Sequence, residues 1–107
     1  MEIHRVLGMG LKEINYKDAM EIDFIENKVP YTREQKFAVK YKNSILRNSY
    51  NADFIVYHSM VLEVKSAPFI HKADMAQALS YLTVTGLKLA IIINFGEPSL
   101  SFKRLMR

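Results

Sequence analysis

The sequence predicts an α/β domain in which a mixed β-sheet is flanked by helices. Three patterns lead there: two segments with helical spacing of apolar residues, two β-rich runs with a short break between them, and one short apolar run without alternation. At 107 residues, half of them hydrophobic, the chain can bury one ordinary core but not two, so a single domain over residues 1–107 is expected.

From Leu11 to about Glu26, the residues Leu11, Ile14, Ala19, Ile22 and Ile25 fall on one side of a helix, and Gly8 and Gly10 precede it as a flexible lead-in. Pro30 then punctuates. Between Arg33 and Tyr41 the pattern alternates, with Gln35, Phe37, Val39 and Tyr41 on one face and Glu34, Lys36, Lys40 and Lys42 on the other, which predicts a half-buried strand. Its lysine face reads either as edge protection against aggregation or as a phosphate-binding surface. After the polar Lys42-Asn43-Ser44, the runs Asn51 to Tyr57 and Met60 to Ala67 flank a break around His58-Ser59 and read as a hairpin. Pro68 ends the second run. From about Ile70 to Thr85, Met75, Ala76, Leu79 and Leu82 restore helical spacing, closed by Gly86. Leu89-Ala90-Ile91-Ile92-Ile93 is apolar throughout and too short for a typical helix, as expected of a central strand covered on both faces. Gly96 and Pro98 turn the chain toward a short last strand over Leu100 to Leu105. The order is helix, three strands, helix, strand and a short final strand. Hairpin neighbours are antiparallel, whereas the strand after the second helix returns parallel to its predecessor, so the sheet is mixed.

The absence of cysteine excludes disulfides and thiolate zinc sites, and leaves oxygen and imidazole as metal ligands. Met1 to Arg5 contains no apolar run of the signal-peptide kind, and no later run approaches the roughly 18 residues of a membrane span. A soluble, cytoplasmic protein with no membrane partner is expected. A net charge of +4 and a pI near 9.4 suit a polyanion, a weak signal taken alone.

Three charged residues interrupt the apolar runs. Asp53 lies early in one run, and Glu63 and Lys65 lie inside the next, where alternation sets them on one face and Leu62 and Val64 on the other. A loop of His58, Ser59 and Met60 pairs Tyr57 with Val61, places Asp53 opposite Lys65, and sets it diagonal to Glu63 at roughly 7–8 Å. A two-residue loop sends Asp53 to the other face, because a one-residue slip reverses the sides. Two carboxylates converging beside an ammonium suit a hard cation such as magnesium. Such an ion lowers the pKa of a water and stabilises charge growing on a phosphodiester, while Lys65 orients or deprotonates the attacking water. The competing reading is a cross-strand ion pair on a solvated face, contributing about 0–1 kcal/mol.

Gln77 and Tyr81, four apart, share a helical face off the apolar stripe and can reach a phosphate or remain a partly exposed surface. Glu13 in a first helical turn is explained by the macrodipole alone. His4, His58 and His71 match no metal-binding spacing and read as tip or surface residues. Phe24, Phe37, Phe54, Tyr57, Phe69 and Phe95 read as packing residues.

The string Gly10-Leu11-Lys12-Glu13-Ile14-Asn15-Tyr16 resembles the pattern that names the GxxExxY family of the PD-(D/E)XK nuclease superfamily. Asn51-Ala52-Asp53 is similar to that family's Arg-Ala-Asp, with Asn in place of Arg. Glu63-Val64-Lys65 resembles its Glu-Leu-Lys, His71 to Leu82 is similar to its helix, and Thr85-Gly86-Leu87 and Ile93 to Gly96 resemble its closing segment. The resemblance implies a restriction-endonuclease-like core. Asp53 and Glu63 would then be metal carboxylates for magnesium or manganese, Glu13 a further acidic ligand, and Lys65 the catalytic lysine. Gln77 and Tyr81 would be the Gln-x-x-x-Tyr element of RecB-like nucleases. Family members carry a longer N-terminal helical segment, of which Met1 to Val6 would be the remainder. The implied activity is metal-dependent hydrolysis of phosphodiester bonds in DNA. Its alternative is a catalytically inactive module of the same fold that binds nucleic acid or a protein, and a homodimer covering each subunit's open face is a further expectation.

Overall fold

The computed structural model describes residues 2–107; Met1, part of the expected N-terminal remainder, lies outside them. The chain forms α1 (Glu2–Leu7), α2 (Glu13–Glu26), β1 (Tyr31–Phe37), β2 (Lys40–Tyr41), β3 (Ser44–Ile45), β4 (Tyr50–Val56), β5 (Met60–Lys65), α3 (Lys72–Thr85), β6 (Leu89–Asn94) and β7 (Ser101–Met106). Five strands make one sheet in the order β1-β4-β5-β6-β7. Helix α3 carries the chain back between β5 and β6, which are parallel; the other neighbours are antiparallel. The mixed sheet with a covered β6 is the predicted one. The stretch expected as a single strand to Tyr41 instead breaks after Phe37, and β2 with β3 forms a separate small hairpin. Lys42, with φ 56, sits in the turn of that hairpin, where strand geometry ends.

One core lies under α1 and α2 and contains Ile3, Tyr16, Met20, Phe54, Val64 and Phe95. The other lies under α3 and contains Ile55, Val61, Ala78, Tyr81, Leu82 and Ile92. Both helices turn a different face inward from the one their apolar spacing suggests. In α2 the buried residues are Tyr16, Lys17 and Met20, while Ile14, Ile22 and Ile25 are exposed. The larger aromatic surface wins: Tyr16 stacks on Phe95 with ring centroids 4.4 Å apart, and its hydroxyl donates to the Gly8 carbonyl at 2.6 Å while accepting from the Leu11 N–H. In α3 the inward set is Met75, Ala78, Tyr81 and Leu82, and Ala76 and Leu79 face outward. Tyr57 and Phe69 are exposed rather than packed, and His4 bonds the Glu97 carbonyl at 2.8 Å rather than standing free on the surface.

Beyond Lys65 and Asn94, the parallel strands stay locked through side-chain chemistry. Fully buried Asn94 accepts from the N–H groups of Ala67 and Gly96 and donates to the Ala67 carbonyl and the Glu97 carboxylate. This satisfies main-chain groups that the ladder has left behind. Gly96 passes so near that a Cβ there would lie 2.3 Å from the Ala67 nitrogen. Gly96→Ala is therefore expected to lower stability by about 1–3 kcal/mol, read as a reduced urea midpoint; an unchanged midpoint would contradict the close approach.

Candidate metal centre on the central strands

The site forms where the β4–β5 ladder stops. Tyr57, His58 and Ser59 make the loop, so Val56 pairs with Met60, Ile55 with Val61, and Phe54 with Leu62. Continuing that register sets Asp53 opposite Glu63, two residues short of the expected partner Lys65, because the loop is Tyr57–Ser59 rather than His58–Met60. The pairing ends there because Asp53 substitutes its side chain for its main chain: Oδ2 accepts the Val64 N–H at 2.8 Å. Alternation also slips at this point, since Phe54 and Val56 pack under α2 while Ala52 joins Ile55 under α3.

Glu63 is 7% exposed, and among the described residues no donor reaches its Oε1. Burial first, and then the Asp53 carboxylate beside it, push the Glu63 carboxyl up to about 9. The neighbour is itself an acid, so the two can hydrogen-bond only when one carries a proton. Burial likewise pushes the Tyr81 phenol up to about 12, helped by Glu63 and then Asp53. That phenol donates to the Asn51 carbonyl at 2.7 Å, pinning β4 two residues before Asp53.

A positive charge enters from α2. The Lys17 ammonium lies 3.0 Å from Asp53 Oδ1 and also bonds Glu34 Oε1. Burial works against the charge, but the bonds to Glu34 and Asp53 outweigh it and hold the Lys17 pKa above its ordinary value. Glu34 reaches this position from a strained backbone, with φ 55 inside β1 between the pairs Arg33–Phe54 and Gln35–Ala52. A non-glycine residue in that conformation costs about 1–3 kcal/mol.

Of the residues singled out in the sequence, Asp53 and Glu63 come together. Lys65 follows on β5 with its ammonium 3.8 Å from Asp74 of α3. Gln77 is exposed on α3, one turn before Tyr81. Glu13 is exposed at the start of α2, and among the described residues no three His, Asp or Glu side chains form a group able to hold a metal ion. Lys17, Glu34 and Asp74 were not singled out as site residues. A lysine at the spacing of Tyr16 and Met20, on the inward side of α2, was the available signal.

A family model for the PD-(D/E)XK nuclease superfamily matches residues 1–105. The chain belongs to that superfamily. The sheet with its flanking helices is consistent with the superfamily's restriction-endonuclease-like fold. The crystal structure of SSO0001 is similar to this PD-(D/E)XK chain with a TM-score of 0.61 and 18% sequence identity over 86% of this chain and 48% of that one. The chain thus spans about half the length of that relative, and the likeness is one of fold. No curated protein matches. Members of the superfamily generally use divalent metals, and the donor set here fits one: two acidic side chains with hard oxygens, one of them a buried oxygen lacking any donor.

The Glu63 shift has a consequence for stability without metal. The folded chain keeps a proton that the unfolded chain releases near pH 4.5, so stability falls as pH rises from about 4.5 toward about 9. Glu63→Gln is expected to flatten that slope in urea unfolding between pH 5 and 9; an unchanged slope would place the shift elsewhere.

Proposed function

We propose that the chain is a metal-dependent nuclease of the GxxExxY type, a single domain over residues 1–107 that hydrolyses phosphodiester bonds in DNA. The observation that carries this reading is the buried Glu63 oxygen without a partner, set against Asp53 and two residues from Lys65. Asp53 and Glu63 would hold magnesium or manganese; Glu13, exposed one turn before Lys17 on the helix that reaches Asp53, stands apart from them in the structure and would have to swing in as a further ligand. The ion, when bound, supplies positive charge against the negative charge that grows on a phosphodiester. Asp53 is preset for its role because the Val64 N–H fixes the plane of its carboxylate. Lys65, partly exposed and two residues along β5 from Glu63, would orient the attacking water, with Asp74 steadying its ammonium. Tyr81 positions β4 through Asn51, and exposed Gln77 is available to a substrate phosphate.

One observation favours a second reading, a nuclease-fold module that binds without cutting. Lys17 already supplies to Asp53 and Glu34 the charge that a metal would bring. The exposed Val6, Ile14 and Ile22 support a homodimer that covers this face of α1 and α2.

Titration of magnesium or manganese into the intact chain is expected to show binding by calorimetry and cleavage of single- or double-stranded DNA, both lost in Asp53→Ala. Lys65→Met is expected to keep metal binding and lose about 100-fold or more of the cleavage rate. Metal binding with no cleavage of either DNA would select the non-catalytic module, and no binding at millimolar metal by the intact chain or by Lys17→Met, which lacks the competing ammonium, would overturn the metal site itself.

A further inference from the structure

Among the described residues, Lys17 is the one cation that enters the carboxylate cluster from outside the sheet. It is 8% exposed, and its ammonium touches Asp53 Oδ1 at 3.0 Å and Glu34 Oε1. These two partners are unequal. Asp53 has its second oxygen bonded to the Val64 N–H and lies beside Glu63, whose Oε1 no donor reaches. Glu34 has a half-exposed side chain and sits on the edge strand β1, in register between residues 33 and 35 that pair with 54 and 52. Glu34 makes this contact from a left-handed backbone, and strain of this kind clusters at positions with a task.

We propose that Lys17 is a displaceable internal cation: it neutralises Asp53 while the site holds no metal, and yields to a divalent ion by moving wholly onto Glu34. This rests on the reading of Asp53 and Glu63 as the metal carboxylates. Two cations cannot share one carboxylate oxygen without repelling each other in a poorly hydrated site. An ammonium on a four-carbon stem can shift by rotating its side chain, and Glu34 offers it a second seat without a return to bulk water. Asp53 keeps its orientation throughout, because the Val64 N–H holds the oxygen that Lys17 does not touch. Lys17 is therefore a positioning residue that sets a threshold for metal entry, and Glu34 acts on the metal only through Lys17.

The test is manganese binding by calorimetry to the intact chain, Lys17→Met, Glu34→Gln and the double variant, with thermal unfolding recorded for each. Lys17→Met is expected to bind about tenfold or more tightly, since a competing internal occupant no longer reduces the competent fraction. Glu34→Gln is expected to weaken binding when Lys17 is present and to change little in the Lys17→Met background. Equal weakening in both backgrounds would make Glu34 a ligand or a general source of field, and would overturn the proposal. A direct readout needs no substitution: with lysine labelled at Cε, the Lys17 signal of the intact chain should shift in step with added magnesium. Metal binding with that signal unmoved, or with Lys17→Met no tighter, overturns the internal cation and leaves the metal site standing. Binding by neither the intact chain nor Lys17→Met removes both, whereas binding by Lys17→Met alone supports the displacement.

Discussion

The arrangement depends on one hydrogen bond, from the Val64 N–H to the Asp53 carboxylate. The sheet's antiparallel central pair parts after Phe54 and Leu62, and a parting ladder exposes donors that must be satisfied. Asp53 answers that need with its side chain, at 2.8 Å. The consequence is both structural and chemical. The strands can diverge without an orphaned N–H, and a carboxylate becomes fixed in the gap opposite Glu63. On the β4 side, Tyr81 reaches across from α3 to hold the Asn51 carbonyl, so the residues flanking Asp53 are tied to both the sheet and a helix.

The charges around that bond are distributed by environment. One ammonium, Lys17, serves two acids from neighbouring strands, and a third acid, Glu63, is left to burial. Lys65, close in sequence, is drawn to Asp74 on α3. A group of carboxylates with fewer cations than acids among its nearest partners, one of them held in its neutral form, has an unmet demand for positive charge. That demand is what distinguishes the place from an ordinary surface ion-pair network, in which every acid finds a base or water.

Much of this was legible in the sequence, because the informative signals were local. The hairpin, the apolar strand β6 and the charged interruptions at Asp53, Glu63 and Lys65 follow from alternation and turn chemistry, and they gave the sheet and the acidic pair. The inward faces of α2 and α3 were misread, since each helix carries two overlapping apolar stripes and spacing cannot weigh an aromatic ring against several aliphatic side chains. Tyr16, Met20 and Phe24, spaced by four, form the stripe that packing selects in α2. The exact pairing of Asp53 was open because one residue in the loop decides it. The meeting of Glu34 and Lys17 was harder to read for a different reason: it requires a left-handed residue in a strand and a lysine turned inward from a helix, and propensity argues against both.

The backbone at Glu34 sets two requirements against each other at a single position. Glycine would relax the left-handed conformation and shorten the list of strained residues, but it would leave Lys17 with one acid instead of two. A screen for thermal stability alone would favour the relaxed backbone there and, in doing so, would rewrite the electrostatics of the neighbouring strand. In this chain, the path to a sturdier fold and the path to an intact carboxylate cluster diverge at residue 34.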